Sequence, residues 1–141
     1  MRSTGACAIV CAILAAMAAS LGAQASKSVW NGVYSEAQAT RGKTLYVNSC
    51  AACHQEGLQG ADLAPALKGD EFLLRWSDRS MFEFVDRVAT TMPQDTPGSL
   101  NPQENADIVA YVLQVNRFPA GQDELPSDAA AQKAIAITKS K

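Results

Sequence analysis

Hydrophobic residues recur at helical spacing in the C-terminal half of the chain. Between residues 102 and 116 they form two adjoining sets, Ile108-Tyr111-Val112-Val115 and Ala106-Val109-Ala110-Leu113. One such set predicts a helix with a single buried face, whereas two adjoining sets predict a helix that is covered around much of its circumference. Asn101 and Pro102 are typical of the N-cap and the first turn of such a helix.

A second helix is predicted over residues 35–50, where Ser35 and Gln38 have the spacing of a capping box. Its interior contains Gly42, and a glycine there costs about 1 kcal/mol relative to alanine. We therefore expect another backbone to pass close to Gly42, and the helix at 102–116 is the candidate.

The rest of the chain reads as loops and short helices, with no alternation of polar and apolar residues that would predict a strand. A capping box at Ser80 predicts a helix over residues 80–90. A short helix is expected near 71–75, and glycine and proline predict loops over 55–70 and 92–100. The expected fold class is all-α.

The N-terminus has the three parts of an export signal. Arg2 precedes an apolar run over residues 6–19, and Ala23-Gln24-Ala25 offers a small-x-small cleavage site. The run is too short to span a bilayer, which needs about 20 residues. We expect cleavage of a signal peptide and a periplasmic location; a retained anchor, or lipidation at Cys7 or Cys11, is the alternative.

This reading divides the chain into a signal peptide (1–25), a domain (26–120) and a flexible C-terminal tail (121–141). Loss of Arg2 changes the net charge from −2 to −3. A mildly acidic protein with no basic patch is not expected to bind nucleic acid. We expect a monomer with no membrane span after cleavage.

Residues 50–54 read CAACH and contain the chain's single histidine, His54. After signal cleavage Cys50 and Cys53 are the remaining cysteines, and in an oxidising compartment such a pair forms a disulfide, binds a metal or attaches a cofactor. C-x-x-C-H is the attachment sequence of c-type haem. The cysteines add to the haem vinyl groups as thioethers, and His54 follows on the same turn as the iron ligand. One covalent haem c is expected.

Two other kinds of site share part of this spacing. A thioredoxin-like redox pair requires a βαβ pattern around the C-x-x-C motif, which the sequence lacks. A structural zinc site requires four ligands, and the sequence offers three good ones. Both alternatives are therefore disfavoured.

Haem iron has a sixth position, for which the mature chain offers two methionines. Met92 lies in the loop sequence TTMPQDTPG, where Pro93 stiffens the backbone, whereas Met81 begins a helix and is expected to pack in the core. A thioether is a soft ligand that suits haem iron and raises its reduction potential. Met92 is the predicted axial ligand; a role as core filler is the alternative.

Other residues are candidates for supporting the haem. A haem-ligating histidine usually donates its second ring N–H to a carbonyl, and Pro65 in LAPAL is the candidate acceptor, with a simple turn proline as the alternative. Trp76 is the preferred donor to a haem propionate, because a buried indole N–H needs a partner. A plain core role for Trp76 stays open, and Tyr46 and Arg75, Arg79 or Arg87 are further candidates.

Taken together, CAACH, LAPAL, TTMP and DIVAYVLQVN make residues 34–118 similar to class I c-type cytochromes. The resemblance implies the class I cytochrome c fold, in which the N- and C-terminal helices cross beside a covalently bound haem with His/Met coordination. It places these roles on the residues that match the family's motifs: Cys50, Cys53, His54, Pro65 and Met92. Small bacterial monohaem cytochromes with similar stretches accompany quinoprotein dehydrogenases or sulfur-oxidising enzymes.

Two functions follow from this reading. The first is a periplasmic one-electron carrier, not itself an enzyme, that docks transiently with a donor dehydrogenase and an acceptor redox protein. The alternative is a haem-based catalytic or gas-binding protein with a labile sixth ligand. Such a protein needs a polar distal group, commonly histidine or arginine; the chain contains no histidine besides His54, which argues against peroxidase-like chemistry.

Overall fold

The computed structural model describes residues 27–141, so the predicted signal peptide lies outside the described residues. The described part is mainly helical: α1 (Glu36–Ser49), α2 (Ala51–His54), α3 (Gly69–Trp76), α4 (Met81–Thr91), α5 (Pro102–Val115) and α6 (Ala129–Lys133). It also contains a 3₁₀ turn and three short strands: Val29–Asn31, β1 (Lys27–Ser28), β2 (Arg79–Ser80) and β3 (Ile135–Ile137). No helix between residues 27 and 141 is long and apolar enough to cross a membrane.

The caps that the sequence predicts for α4 and α5 are confirmed. Asn101 accepts a hydrogen bond from the backbone N–H of Glu104, whose side chain returns to the N–H of Asn101. Ser80 and Glu83 form the same reciprocal pair at the start of α4. Each pair satisfies backbone donors that a helix N-terminus leaves free, which is why both helices begin where they do.

The cap of α1 is confirmed only in part. Ser35 accepts a hydrogen bond from the backbone N–H of Gln38, as predicted. The Gln38 side chain, however, does not return to the cap; its amide donates to the carbonyl of Leu125 (3.0 Å) and accepts from the Leu125 N–H (2.7 Å). Gln38 therefore fixes the C-terminal segment on α1.

Helices α1 and α5 cross with their backbones in close contact. A Cβ atom at Gly42 would overlap the backbone carbonyl of Asp107 and would lie 3.0 Å from the N of Ile108. Only glycine allows this approach, because its lack of a Cβ lets two backbones meet. The predicted role of Gly42 is confirmed.

Helix α5 is the most enclosed element of the described chain. Every residue from 105 to 113 is buried, which confirms the predicted cover around much of its circumference. One side contacts α1 at Gly42, and another presents Ile108, Val109 and Val112 to a large cleft.

A small sheet departs from the expected all-α fold. Its strand order is β1-β3-β2, with β1 parallel and β2 antiparallel to β3. The strands have two or three residues each, and their partners are distant in sequence. Segments this short show no alternation of polar and apolar residues, so the pattern could not predict them.

The C-terminal segment also differs from the expected flexible tail. Leu125, Ile135 and Ile137 are buried in the core, and β3 lies between β1 and β2 in the sheet. The Lys133 ammonium lies 4.6 Å from the centroid of the Phe82 ring on α4. A few apolar side chains thus attach the polar C-terminal segment to the helices. The segment before α1 is attached as well, because its strand β1 pairs with β3.

Candidate functional site

A cleft of about 1910 Å³ opens between α2, the loop that follows it, α3, α4 and α5. It exceeds the roughly 300–1,000 Å³ of pockets for drug-sized ligands. Its lining includes every site residue that the sequence predicts: Cys50, Cys53, His54, Pro65, Trp76 and Met92.

The short helix α2 brings the C-x-x-C-H residues onto one turn. The backbone N–H groups of Cys53 and His54 both donate to the carbonyl of Cys50, at 3.2 and 2.9 Å. Cys50 is partly buried and Cys53 is exposed, and neither forms a disulfide. Two thiols and one imidazole therefore line the cleft from a single turn of backbone.

The thiol chemistry differs from that of a redox cysteine pair. Burial raises the pKa of the Cys50 thiol to about 11, and neighbouring Cys53 adds to the rise. A redox pair depends on a thiolate with a lowered pKa. Within residues 27–141, no group of three or more His, Cys, Asp or Glu side chains is arranged to hold a metal ion on its own.

The His54 ring is buried and is oriented by the loop that follows α2. Its Nδ1 atom lies 2.9 Å from the carbonyl oxygen of Pro65. A carbonyl can only accept a hydrogen bond, so the pair assigns the proton to Nδ1 and leaves a lone pair on Nε2. The ring thus has a defined tautomer, with Nε2 available as a ligand.

The two methionines of the described chain have different environments. Met92 follows the last turn of α4, is partly buried and lines the cleft; its N–H donates to the carbonyl of Val88. Met81 is fully buried in the core and does not line the cleft. Of these two side chains, Met92 alone is placed where it can reach a group in the cleft.

Trp76 forms part of the cleft wall at the end of α3. Its ring packs against Phe84 with 4.6 Å between centroids, and the Arg79 guanidinium lies 5.8 Å from its centroid. The indole N–H makes no hydrogen bond to any part of the chain from residue 27 onward. A donor without a protein partner therefore belongs to the cleft wall.

The other candidate propionate donors separate into two groups. Tyr46 is fully buried, does not line the cleft, and donates its hydroxyl to the carbonyl of Gln55 (2.8 Å), so this donor already has a partner. Arg75, Arg79 and Arg87 do line the cleft. Two of them are paired with carboxylates of the same wall, Arg75 with Glu71 (4.0 Å) and Arg79 with Glu83 (3.3 Å).

Sequence reasoning missed one part of the cleft edge. Asp62 and Leu63 line the cleft, and the Leu63 side chain is 99% exposed. The sequence signal here was only the general one for a loop, since glycine and proline do not specify which side chains a loop presents. The turn geometry that presents these side chains is visible only in the structure.

The residues of the cleft fit a haem. Two thiols at C-x-x-C spacing and an imidazole lie on one turn, a thioether lies in a separate loop, and Ile108, Val109 and Val112 supply apolar surface. Imidazole and thioether are established haem ligands. A mainly helical body around such a cleft defines a c-type cytochrome domain.

Comparison with known families agrees with that class. The sequence model of the family "cytochrome c oxidase, cbb3-type, subunit III" matches residues 37–112, a range that includes both CAACH and Met92. The chain belongs to this family, whose cytochrome c domain contains haem c and transfers electrons through it.

One solved structure and the curated proteins complete the comparison. The crystal structure of the sulfane dehydrogenase SoxCD from Paracoccus pantotrophus is similar, with 20% identity and a TM-score of 0.48. The alignment covers 63% of this chain and 53% of that chain, so this chain spans about half its length. No curated protein matches the chain.

Proposed function

We propose that the protein is an exported one-electron carrier with a single haem c, attached through Cys50 and Cys53 and ligated by His54 and Met92. One observation carries the proposal: all four side chains line the same cleft, although α3 and α4 separate Met92 from the other three in sequence. In this proposal the fold is that of a class I cytochrome c, with α1 and α5 crossing beside the haem.

With His54 and Met92 as its ligands, a bound haem would supply one-electron oxidation and reduction and would leave no ligand position for a substrate. The chain supplies the environment for this chemistry. Ile108, Val109 and Val112 give the cleft apolar surface, and the Pro65 carbonyl orients the His54 ring. These roles are those of a carrier rather than of an enzyme.

The cleft wall at the end of α3 would hold the carboxylates of the haem. We assign Trp76 as a donor to a propionate, because Trp76 lines the cleft and its indole N–H has no partner from residue 27 to the C-terminus. Arg87 is a further candidate donor, because it lines the cleft, forms no ion pair with residues 27–141, and charge-assisted hydrogen bonds to carboxylates are stronger than neutral ones.

The location and the partners follow from the export pattern at residues 1–25. Haem is attached to such sequences after export, and the proposed compartment is the periplasm. There the monomeric carrier would receive electrons from a dehydrogenase and deliver them to an acceptor. Interfaces for such transfer are small and short-lived, typically below about 1,200 Å².

Mass spectrometry and optical spectroscopy of the exported protein test the proposal. We expect the mass of one covalently bound haem and a one-electron transition in an anaerobic redox titration. The oxidised protein should show the weak near-infrared methionine-to-iron band, and the reduced protein should not bind carbon monoxide readily. Absence of haem would overturn the proposal, and rapid binding of carbon monoxide would favour the gas-binding alternative.

A further inference from the structure

A tight turn presents two side chains at the edge of the cleft. Ala61 and Ala64 exchange backbone hydrogen bonds of 3.0 and 2.8 Å, so Asp62 and Leu63 occupy the two central positions of the turn. Both side chains are exposed, Leu63 to 99%, and both line the cleft. An apolar side chain and a carboxylate are therefore presented together at the opening.

The backbone of this turn is packed against the loop that orients His54. The N–H of Gly60 donates to the carbonyl of His54 (3.0 Å), and a Cβ at Gly60 would lie 2.7 Å from the N of Ala66. Leu63 is thus exposed because of the turn geometry. The turn therefore fixes the backbone position from which Leu63 projects at the cleft opening.

Negative charge is concentrated on the two loops that contain Pro65 and Met92. Neither residues 44–67 nor residues 88–116 include a lysine or an arginine. Asp62 and Asp95 are exposed, line the cleft and form no ion pair with any residue from 27 to 141. We call Asp62, Leu63 and Asp95 the acidic rim.

We propose that the acidic rim is the docking surface for a redox partner, and that this partner is a protein with a basic face around a small apolar recess. The inference rests on the proposed carrier function and names the kind of partner that it serves. Unpaired carboxylates attract a basic face and raise the rate of encounter, whereas an exposed apolar side chain gives the docked complex a contact to bury.

The charge of the rim argues against a second copy of this chain as the occupant. If the rims of two copies met face to face, Asp62 and Asp95 of one copy would lie against Asp62 and Asp95 of the other. Juxtaposed like charges disfavour association. A basic protein removes this repulsion.

Two small inorganic oxidants of opposite charge test the rim in the haem-loaded, reduced protein. Tris(phenanthroline)cobalt(III) is a cation with apolar ligands, and hexacyanoferrate(III) is an anion. Each oxidation removes one electron from the protein and converts Co(III) to Co(II), or Fe(III) to Fe(II), with no proton transferred. Stopped-flow rates are measured for both oxidants at low and at high ionic strength.

At low ionic strength, Asp62→Asn and Asp95→Asn should each slow oxidation by the cobalt complex at least about twofold and accelerate oxidation by hexacyanoferrate. High salt should remove both effects, because exposed charges are then screened. The matched control is Asp123→Asn, which makes the same change in net charge at an exposed position that does not line the cleft. An equal effect of Asp123→Asn would overturn the proposal.

The apolar part of the rim has its own control. Leu63→Ser should slow the cobalt reaction and leave the hexacyanoferrate reaction unchanged. Leu74→Ser should affect neither reaction, since Leu74 is 77% exposed but does not line the cleft. If Leu63→Ser left the rate of oxidation by the cobalt complex unchanged, the proposal that Leu63 is an apolar docking contact would be wrong.

Two further outcomes identify other failures. Sedimentation velocity at low salt tests for a dimer. If the protein dimerises and Leu63→Ser dissociates the dimer, the occupant of the rim is a second copy of the chain and the proposal of a basic partner is wrong. If neither oxidant removes an electron from the reduced protein, the carrier function fails and the rim proposal fails with it. If both oxidants react at rates that no rim variant changes, only the rim proposal fails.

Discussion

The Nδ1 atom of His54 and the carbonyl oxygen of Pro65 lie 2.9 Å apart, which joins the C-x-x-C-H turn to the loop that follows it. The contact is made to backbone, so its geometry depends on the path of the loop rather than on a side chain. Gly60 fixes that path: its φ is +72°, and a Cβ there would lie 2.7 Å from the carbonyl carbon of Pro65.

Gly60→Ala should therefore disturb the orientation of His54. A side chain at positive φ costs about 1–2 kcal/mol by itself, and the contact with Pro65 adds to that cost. We expect the free energy of unfolding, measured by urea denaturation, to fall by more than about 2 kcal/mol. A redox titration should show a shifted reduction potential.

Gly69→Ala is the matched control for this variant. Gly69 also has a positive φ of +68°, but a Cβ there would meet nothing within 4 Å. We expect Gly69→Ala to lower the free energy of unfolding by the cost of the positive φ alone, and to leave the reduction potential unchanged. Equal potentials for the two variants would contradict the link between the loop path and His54.

Met92→Ala should remove the sixth ligand of the haem. The methionine-to-iron band of the oxidised protein should disappear, and the reduced protein should bind carbon monoxide. The control is Met81→Leu, a core substitution of similar volume that should cost less than about 1.5 kcal/mol and leave both spectra unchanged. A low-spin spectrum that Met92→Ala does not alter would show that the ligand is another group.

Local signals in the sequence were sufficient for most helices. Asn101 and Ser80 cap α5 and α4 as predicted, because a cap involves residues three positions apart. Gly42 was informative for a different reason: an unfavourable residue in a helix interior is explained by a backbone contact, and Asp107 supplies that contact.

Contacts between distant segments could not be predicted from such local sequence signals. Gln38 has the correct spacing for a capping box, yet its amide binds Leu125, which lies 87 positions away. The strand β3 has only three residues, and its partners are at the start and in the middle of the chain. The motif residues of the cleft were predictable from spacing, whereas the exposure of Leu63 depends on the shape of a turn.

Asp107 should make the stability of the protein sensitive to acid. Its carboxylate is nearly buried and receives hydrogen bonds from Arg41 (2.9 and 3.1 Å) and Gln103 (2.8 Å). Burial alone would raise the pKa of Asp107, but the hydrogen bonds from Arg41 and Gln103 outweigh it and hold the pKa below the ordinary value of 3.8. The folded state thus favours the ionised form, so its stabilisation is present above that value and is lost as pH falls below it.

Asp107→Asn tests this linkage. At neutral pH the variant should be less stable by about 1–3 kcal/mol, because the amide removes the nearly buried charge that pairs with Arg41 and leaves Arg41 only its exposed partner Glu124. Its unfolding free energy should then depend less on pH than that of the wild type below about pH 4. Urea denaturation at several pH values gives both quantities, with the exposed Asp123→Asn as control. Parallel pH profiles for wild type and Asp107→Asn would exclude Asp107 as the source of the acid sensitivity.

The C-terminal segment should contribute to the stability of the whole body. Leu125 is 1% exposed and Ile137 is fully buried, with β3 hydrogen-bonded on both sides. Leu125→Ala and Ile137→Ala should each lower the free energy of unfolding by about 2–5 kcal/mol, the usual range for removing a buried aliphatic side chain. Lys139→Ala, at an exposed position of the same segment, should change it by less than about 0.5 kcal/mol.

Two probes show whether the segment unfolds together with the helices. Urea transitions followed by haem absorbance and by circular dichroism should coincide in the wild type and should shift together in Leu125→Ala and Ile137→Ala. The reason is that β3 pairs with β2, and β2 leads directly into α4, whose residues line the cleft. Unchanged midpoints in both variants would mean that residues 122–141 are attached too weakly to support the cleft wall.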